Sequence, residues 1–377
     1  MAAEEAARPE VAAEASPTSE RAGLYLHVPF CSKICPYCDF AVTVGGAEKR
    51  ARYAHLLARE LSLWALDGWS FDTVYWGGGT PSALAPELLA ELFASVEGAG
   101  AHGARIFFEA NPEDVTRESA RAWRELGVAT LSLGIQSFDD AELRFLGRRH
   151  SGEEARAAVG LAREAGITTV SIDLIYGLPG QTAASWRKTL DTAIALHPEH
   201  LSCYQLTIHE GTSFYVRRER GRLVEAPEPL QAELFDLTHA YLADAGWPGY
   251  EVSNFARSRE HRSRHNTKYW RHVPYLGLGP SAHSFSGLSG RARWWNEREL
   301  GAWERKLEVG QKPIAGSEQL ADEDLALEAL LLALRTTDGL DLVGFSERYG
   351  FDLAAGNAET IERLLNEGQL ERRGSWL

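Results

Sequence analysis

The strongest constraint on the fold is a repeated alternation of short apolar runs with longer amphipathic runs from Leu24 onward. Each apolar run is rich in β-branched or aromatic residues, which is typical of strands buried on both faces. The predicted strands are 24–28, 73–76, 105–109, 130–136, 169–175 and 201–208. Helical patterns separate the first six strands, at 48–66, 86–96, 119–126, 153–164 and 185–196. Such βα repeats are right-handed and predict an α/β fold, a partial (βα)6 barrel.

Composition excludes several classes of protein. No run of about 18 apolar residues is present, so the sequence predicts no transmembrane segment. A formal net charge of −14 argues against a nucleic-acid partner, since such binding relies on neutralising phosphates. Four cysteines are too few for a disulfide framework in 377 residues, and no signal-peptide core opens the chain. We therefore expect a cytoplasmic protein.

Three segments are predicted. Residues 1–20 are rich in Ala, Glu, Pro and Ser, and we expect a disordered tail there. Residues 21–256 hold the barrel strands, and 257–377 form a smaller α/β domain. Its end carries helical patterns at 324–335, 343–349 and 360–367 and a strand-like piece at 369–372, which together predict a helical or winged-helix-like appendage. Glutamates dominate its last helix and argue against DNA binding, so our hypothesis is a lid or docking role.

Polar or glycine residues lie at the carboxyl ends of five successive predicted strands. Strand one runs into Cys31, strand two into 77–80, strand three into Glu109 and strand four into Gln136, while strand five carries Asp173. In barrels of this kind, catalytic groups gather at the carboxyl ends of the strands. The five positions therefore predict one assembled site.

The most specific motif is the CxxxCxxC of Cys31, Cys35 and Cys38. Thiolates at this spacing on a loop can hold a cubane 4Fe-4S cluster by three irons and leave the fourth iron open. The alternative is a zinc site of the Cys3His type, with His27 or a distant histidine as fourth ligand. Cys203 lies in the middle of a predicted strand, and we expect it to be a buried, small apolar residue.

This motif, followed by Asp39 and Phe40, resembles the radical S-adenosylmethionine (SAM) superfamily. The resemblance implies that SAM chelates the open iron and that an electron donor reduces the cluster. An electron from the cluster then cleaves SAM to methionine and a 5′-deoxyadenosyl radical. It also implies that the partial (βα)6 barrel is a radical SAM barrel, which shields the radical from water.

The other strand ends resemble the SAM site of the coproporphyrinogen III dehydrogenase group within this superfamily. The matching positions are Tyr25, Gly78, Gly79, Thr80, Glu109, Gln136, Arg148 and Asp173. The resemblance implies that Arg148 pairs with the SAM carboxylate, and that Asp173 or Glu109 accepts hydrogen bonds from its ribose or amine. The alternatives are a surface salt bridge for Arg148 and a helix cap for Asp173.

Two features depart from those dehydrogenases. They carry a fourth cysteine two residues after the third, where this sequence has Phe40. They also have a longer N-terminal extension, where this chain has about twenty polar residues.

A segment after the barrel, HNxxYW, contains His265, Tyr269 and Trp270 and resembles the signature of the haem chaperone HemW family. A neutral imidazole can bind haem iron, and flat aromatic side chains can contact the macrocycle. Neighbouring cations could meet the haem propionates. These cations are Arg262, Arg264, Lys268 and Arg271, and the lesser histidine candidates are His272 and His283. The alternative for His265 is a hydrogen-bonded core histidine.

Two functions follow from these resemblances. The first is a haem chaperone that carries the cluster and SAM and hands haem to acceptor proteins such as respiratory enzymes. The second is oxidative decarboxylation of coproporphyrinogen III. Phe40, the short N-terminus and HNxxYW favour the chaperone. A homodimer, covalent attachment of haem and cleavage of SAM all stay open.

Overall fold

A computed structural model describes residues 21–66 and 68–377. The predicted tail at 1–20 lies outside the described residues. The α/β prediction is confirmed: the described residues form an 11-stranded mixed sheet that is flanked by helices and does not close. Along the sheet, the strand order is β11-β10-β9-β8-β1-β2-β3-β4-β5-β6-β7.

The strands follow the chain from the first described residues to the start of the last helical segment. They are β1 (Ala22–Val28), β2 (Phe71–Gly78), β3 (Arg105–Ala110), β4 (Val128–Gln136), β5 (Thr169–Tyr176), β6 (His200–Gln205), β7 (Asn254–Ala256), β8 (Tyr275–Leu278), β9 (His283–Phe285), β10 (Ala292–Asn296) and β11 (Ile314–Gln319).

The α-helices lie between these strands and after the last of them. They are α1 (Ala47–Ser62), α2 (Pro86–Val96), α3 (Arg117–Glu125), α4 (Asp140–Phe145), α5 (Gly152–Glu164), α6 (Ala183–Ala195), α7 (Ser213–Glu219), α8 (Glu228–Asp244), α9 (Arg264–Trp270), α10 (Leu300–Glu308), α11 (Asp322–Ala333), α12 (Leu342–Tyr349), α13 (Leu353–Gly356) and α14 (Ala358–Asn366).

The predicted barrel strands are β1 to β6, and all of them pair in parallel with their neighbours in chain order. Their carboxyl ends therefore share one edge of the sheet, where the predicted site residues meet. β7 forms one edge of the sheet and pairs antiparallel with β6. On the other side β8 pairs in parallel with β1, and β9 to β11 continue the sheet as antiparallel strands.

Local signals fix several helix ends. Thr116, Ser151 and Thr182 each accept a hydrogen bond from the backbone N–H three residues later, which caps the first turns of α3, α5 and α6. Gly127 and Gly166 follow α3 and α5 with φ of 89° and 85°, a left-handed conformation that glycine adopts without strain. These caps turn the chain directly into the next strand.

The main core packs α1, α2, α3, α5, α6, α8 and α10 against the sheet, and its largest fully buried side chains include Trp76, Trp186, Trp294 and Trp303. A smaller core joins Phe285 of β9 to α11 and α12. The predicted helical character of the C-terminal end is confirmed, but the strand expected at 369–372 is wrong: turn and coil residues follow α14, and Trp376 bridges back to Asp341. Within residues 21–66 and 68–377, no helix has the length and apolar character needed to cross a bilayer.

Candidate functional site

The three predicted cluster cysteines lie on one loop directly after β1. The loop is anchored at both ends, because the Cys31 backbone N–H donates to the Thr43 carbonyl at 3.0 Å and the Thr43 N–H donates to Pro29 at 2.7 Å. A tight turn brings the Cys38 N–H to within 3.1 Å of the Cys35 carbonyl. All three thiols are half-buried and line one cavity of about 430 Å³.

The thiols are partly buried and have polar neighbours. The Arg148 Nη1 donates to Cys35 Sγ at 3.6 Å, and Cys31 Sγ lies 3.4 Å from the Thr80 hydroxyl. Burial raises the pKa of Cys31 and raises that of Cys38 to about 11. The Cys31 and Cys38 thiols are therefore protonated near neutral pH, and metal binding must displace those protons. Among the described residues, no three His, Cys, Asp or Glu side chains are arranged to hold a single metal ion.

His27, the nearest candidate for a fourth zinc ligand, is engaged elsewhere. Its Nδ1 lies 3.0 Å from the Tyr25 hydroxyl and its Nε2 lies 2.9 Å from the Ala41 carbonyl. Both ring nitrogens therefore have partners, and neither is free to complete a Cys3His set in this conformation.

The glycines at the end of β2 bring the backbone close to the cysteine loop. A Cβ atom on Gly79 would lie 2.8 Å from the Val28 carbonyl oxygen and 2.9 Å from the Phe30 carbonyl oxygen. Gly78 has φ of 105°, which a residue with a side chain rarely adopts. Gly78, Gly79 and Thr80 all line the cavity. A side chain at Gly79 would therefore collide with the segment that leads into the cysteine loop, and glycine at this position keeps the two segments in close contact.

Two carboxyl groups face the same cavity from β3 and β5. Glu109 accepts hydrogen bonds from the Tyr75 hydroxyl at 2.7 Å and from the Gly78 N–H at 3.2 Å. Asp173 accepts from the Ser132 hydroxyl at 3.0 Å. Loss of solvent raises the pKa of Glu109 to about 7 and that of Asp173 to about 6. Asp173 lies inside β5, so the helix-cap alternative for this residue is excluded.

Gln136 and Arg148 complete the predicted set. Gln136 ends β4 with φ of 68°, a strained conformation for a side chain of this type. Arg148 reaches back into the site, donating through Nη2 to the Gly134 carbonyl at 2.8 Å and to the Asn111 side chain. Both side chains line the cavity, and the alternative of a surface salt bridge for Arg148 is excluded because its guanidinium is buried there.

Sequence reasoning missed several residues that line this cavity. Asn111 donates to Thr80 Oγ1 at 3.2 Å and holds the Arg148 guanidinium. Ser132 and Tyr204 also face it. The alternation of side chains along a strand offered the signal, because Ser132 lies four positions before Gln136 on β4 and therefore shares its face.

A second cavity, of about 500 Å³, adjoins the first on the side of β8 and β9. Asp39, Phe40, Gly78 and Glu109 line both cavities. Tyr25, predicted as a SAM contact, lines the second cavity rather than the first. We call it the β9 cavity. Its other walls come from β8, β9 and the end of α9.

The HNxxYW segment lies on α9, and the side chains of its three predicted haem residues lie in three different environments. His265 is 1% exposed, with Nδ1 3.0 Å from the Thr73 hydroxyl and Nε2 2.7 Å from the Tyr269 hydroxyl. Burial, with Lys268 nearby, lowers the pKa of His265 to about 3, so the imidazole is neutral. Tyr269 lines the β9 cavity. Trp270 instead lines a wide groove of about 1260 Å³ between α9 and the C-terminal helices.

The cations near α9 already have carboxylate partners. Lys268 is buried and lies 2.7 Å from Asp72, which Arg264 also contacts at 2.8 Å. Arg262 pairs with Asp338 at 2.8 Å. Any propionate in the groove would compete with these ion pairs.

The two lesser histidine candidates differ in accessibility. His272 is buried, and its Nδ1 lies 2.9 Å from the Tyr349 hydroxyl. His283 is accessible and lines the β9 cavity. Cys203 is 2% exposed, which confirms its prediction as a core residue.

Comparison with known proteins identifies two family matches within the chain. The Radical SAM superfamily profile matches residues 25–193, and the HemN C-terminal domain profile matches residues 320–377.

Close relatives extend over nearly the whole chain. A protein from Mycobacterium tuberculosis named Heme chaperone HemW is 37% identical over 363 residues, which cover 94% of this chain and 90% of the relative. Its namesake from Bacillus subtilis is 32% identical, with 93% of each chain covered. Among solved structures, the coproporphyrinogen III oxidase HemN from Escherichia coli matches with a TM-score of 0.79 and 25% identity, covering 93% of this chain and 84% of that one.

Proposed function

Because this chain belongs to the haem chaperone HemW family within the radical SAM superfamily, we propose that it binds haem and delivers it to acceptor proteins. The acceptors would include respiratory enzymes, and an electron donor would serve the cluster. Since unpaired thiols persist in a reducing compartment, the proposal places this activity in the cytoplasm.

One observation supports this function above all others. Tyr269 of the HNxxYW helix and Phe40 of the cysteine loop line the same cavity, although 229 positions separate them in sequence (269 − 40). The cysteine loop and the haem signature are therefore neighbours across the sheet edge. A chaperone that couples a cluster to haem needs this arrangement.

The proposed cofactor site is the 430 Å³ cavity. Cys31, Cys35 and Cys38 would hold a 4Fe-4S cluster, which fits the donor set of three thiols and the guanidinium against Cys35 Sγ. When reduced in the presence of SAM, such a cluster supplies a 5′-deoxyadenosyl radical. The chain itself would bind and orient SAM and exclude water.

Each predicted SAM residue has a proposed task. The backbone of Gly78 and Gly79, beside Thr80, would approach the methionine amino group. Arg148 would pair with the methionine carboxylate. The ribose and sulfonium ends of SAM would be oriented by Glu109, Gln136 and Asp173, which line this cavity. Tyr25, predicted with them, would act from the adjoining β9 cavity.

The proposed haem segment is α9. Tyr269 would contact the macrocycle, and His265 would support haem binding through its bond to Tyr269. Trp270 lines the separate groove of about 1260 Å³, so it would not contact haem in the same cavity as Tyr269. We also keep the predicted organisation of a core at 21–256 and a C-terminal domain at 257–377 as a proposal. A homodimer is compatible with it.

One alternative function is favoured by a specific observation. The match to coproporphyrinogen III oxidase spans nearly the whole chain, so porphyrin decarboxylation is the second candidate. Phe40 at the position of the fourth motif cysteine argues for the chaperone.

A single preparation distinguishes the two functions. Protein reconstituted anaerobically with iron, sulfide and SAM is titrated with haemin and, in parallel, incubated with coproporphyrinogen III. The chaperone predicts a saturable, shifted Soret band that His265→Ala weakens, and no protoporphyrinogen product. Porphyrin product without haem binding would establish the enzyme instead.

A matched variant tests the cluster ligands in the same assay. Cys35→Ala should lose most of its iron and sulfide, whereas Cys203→Ala, a change in the sheet core, should keep both. Loss of the cluster with retained haem would show that the two sites are separable.

A further inference from the structure

The β9 cavity contains a histidine whose ring nitrogens are free. His283 begins β9, and neither of its ring nitrogens has a hydrogen-bond partner among the described residues. Its ring stacks on Trp295 at 5.9 Å between centroids and 26° between planes. His27, the other histidine that lines this cavity, has partners on both ring nitrogens, and so does His265, whose partner Tyr269 lines the cavity. His283 is therefore the imidazole that is available to a ligand here.

Aromatic side chains form the walls around this histidine. Tyr269 and Tyr275 meet edge to face, with their centroids 4.6 Å apart. Tyr25 lies on the β1 wall, and Phe40 from the cysteine loop is 62% exposed. Such flat, partly apolar walls suit a planar macrocycle, and the cavity volume of about 500 Å³ lies within the range for small-molecule sites.

A cation and a strained turn complete the cavity. Arg298 lines the cavity, and its Nη2 donates a hydrogen bond to the Asp39 carbonyl at 2.6 Å. The other N–H groups of the guanidinium can therefore bind a carboxylate. Ser281, two residues before His283, also lines the cavity and has φ of 63°. Left-handed backbone at a non-glycine residue is a form of strain that clusters at ligand sites.

We propose that haem binds in the β9 cavity with His283 as an axial ligand to its iron and Arg298 facing a propionate. This inference rests on the proposed haem-binding function and assigns the iron contact to His283 instead of His265. His265 is then a positioning residue, because its Nε2 holds the Tyr269 hydroxyl at 2.7 Å and fixes one wall of the cavity. Haem in this place would lie beside the cysteine loop, since Phe40 belongs to both cavities.

The inference can be tested by absorption and electron paramagnetic resonance spectroscopy of the reconstituted full chain titrated with haemin. Four proteins are compared: the parent, His283→Ala, His283→Cys and the control His55→Ala, which changes an exposed histidine on α1. His283→Ala should bind haemin at least tenfold more weakly and lose the imidazole-ligated spectrum, and added imidazole should restore it. His283→Cys should instead give the spectrum of thiolate-ligated haem. The control should match the parent.

Each contrary outcome has a distinct meaning. If His283→Ala and His283→Cys keep the parent's affinity and spectrum, the assignment to His283 is wrong while the proposed function stands. The same holds if His265→Ala alone removes the imidazole signature. If the parent itself shows no saturable haemin binding, the proposed function fails and the inference fails with it.

Discussion

Glu109 and Asp173 show how single residues are tuned at the proposed SAM site. Each carboxyl group lines the cavity yet is surrounded by protein, and each has hydroxyl donors as its closest partners. Their pKa values of about 7 and about 6 are close to neutral pH, so small changes in environment alter their ionisation. A cationic ligand such as SAM would favour the ionised forms, so binding and proton release should be linked.

The raised pKa of Glu109 predicts a pH-dependent stability in the protein without cluster or SAM. Folding favours the protonated carboxyl, so its contribution is present below the ordinary pKa of 4.5 and is lost as pH rises through about 7. Glu109→Gln should remove roughly 1 to 3 kcal/mol of the decline in unfolding free energy between pH 5 and pH 8. Urea unfolding at a series of pH values measures this decline. An unchanged slope in Glu109→Gln, equal to that of the exposed control Glu125→Gln, would contradict the account.

The histidines show what the sequence alone can reveal at this scale. The HNxxYW motif lies within α9, and the CxxxCxxC motif lies on the loop after β1, which lines both adjoining cavities. Local chemistry could not tell which imidazole is free, because the partner of His265 is Thr73, 192 positions away. The lack of a partner for the ring nitrogens of His283 likewise depends on distant segments, because β10 and the cysteine loop leave this side chain uncovered.

At the scale of elements, the end of β2 and the cysteine loop act as one unit. The Gly79 N–H donates to the Val28 carbonyl at 2.7 Å, which joins the glycine segment to the strand that leads into the cysteines. Close backbone contact here leaves no room for a side chain. The geometry of the thiols therefore depends on glycine at a neighbouring strand.

Gly79→Ala should damage the cluster site without touching a cysteine. Its Cβ would meet two carbonyl oxygens at 2.8 and 2.9 Å, so the cysteine loop must shift. We expect at least a severalfold loss of iron and sulfide per chain after anaerobic reconstitution. Gly46→Ala is the control, because a Cβ there meets nothing within 4 Å. Normal iron and sulfide in Gly79→Ala would refute this dependence.

Helix α9 has a second testable contact, the bond between His265 and Tyr269. Tyr269→Phe removes the hydroxyl and leaves a buried ring nitrogen of His265 without its partner. The expected cost is about 1 to 3 kcal/mol of unfolding free energy, measured by chemical denaturation. Tyr215→Phe serves as control, since its hydroxyl makes no hydrogen bond among the described residues. Equal stability of the two variants would show that the bond contributes nothing.

Element prediction succeeded where the periodicity was strong. The six parallel strands and five of the six α-helices between them were found from sequence, with ends that differ by a few residues, whereas the short helix α4 was missed. Helix α8 was missed because its buried side chains are few, with Leu234 and Leu242 the main apolar ones. Strands β7 to β10 are only three to five residues long, too short for a reliable alternation pattern.

At the scale of the whole molecule, the sheet is continuous across the predicted domain boundary. β8 pairs directly with β1, so strands from the C-terminal part extend the barrel sheet. No local pattern could predict this, because the pairing joins segments about 250 positions apart and depends on the global path of the chain. The β9 cavity exists only because of this pairing.

The continuous sheet predicts shared protection in native-state hydrogen exchange. Amides of Leu276 and Leu278 in β8 should exchange through the same large opening as Val74 in β2, because all three lie in one buried sheet. Amides of α13 and α14, which lie outside the main core, should exchange through openings of lower free energy. Independent opening of β8 at much lower free energy than β2 would contradict a shared unit.

Haem transfer to an acceptor is the most direct test of haem delivery by this chain. Reconstituted protein loaded with one equivalent of haemin is mixed with the haem-free form of a respiratory enzyme, and recovered enzyme activity is followed over time. Haem-loaded serum albumin at the same concentration is the control for passive release. The account predicts faster and more complete recovery than with albumin, and slower recovery with His283→Ala. Recovery no better than with albumin, together with conversion of coproporphyrinogen III by the same preparation, would contradict it.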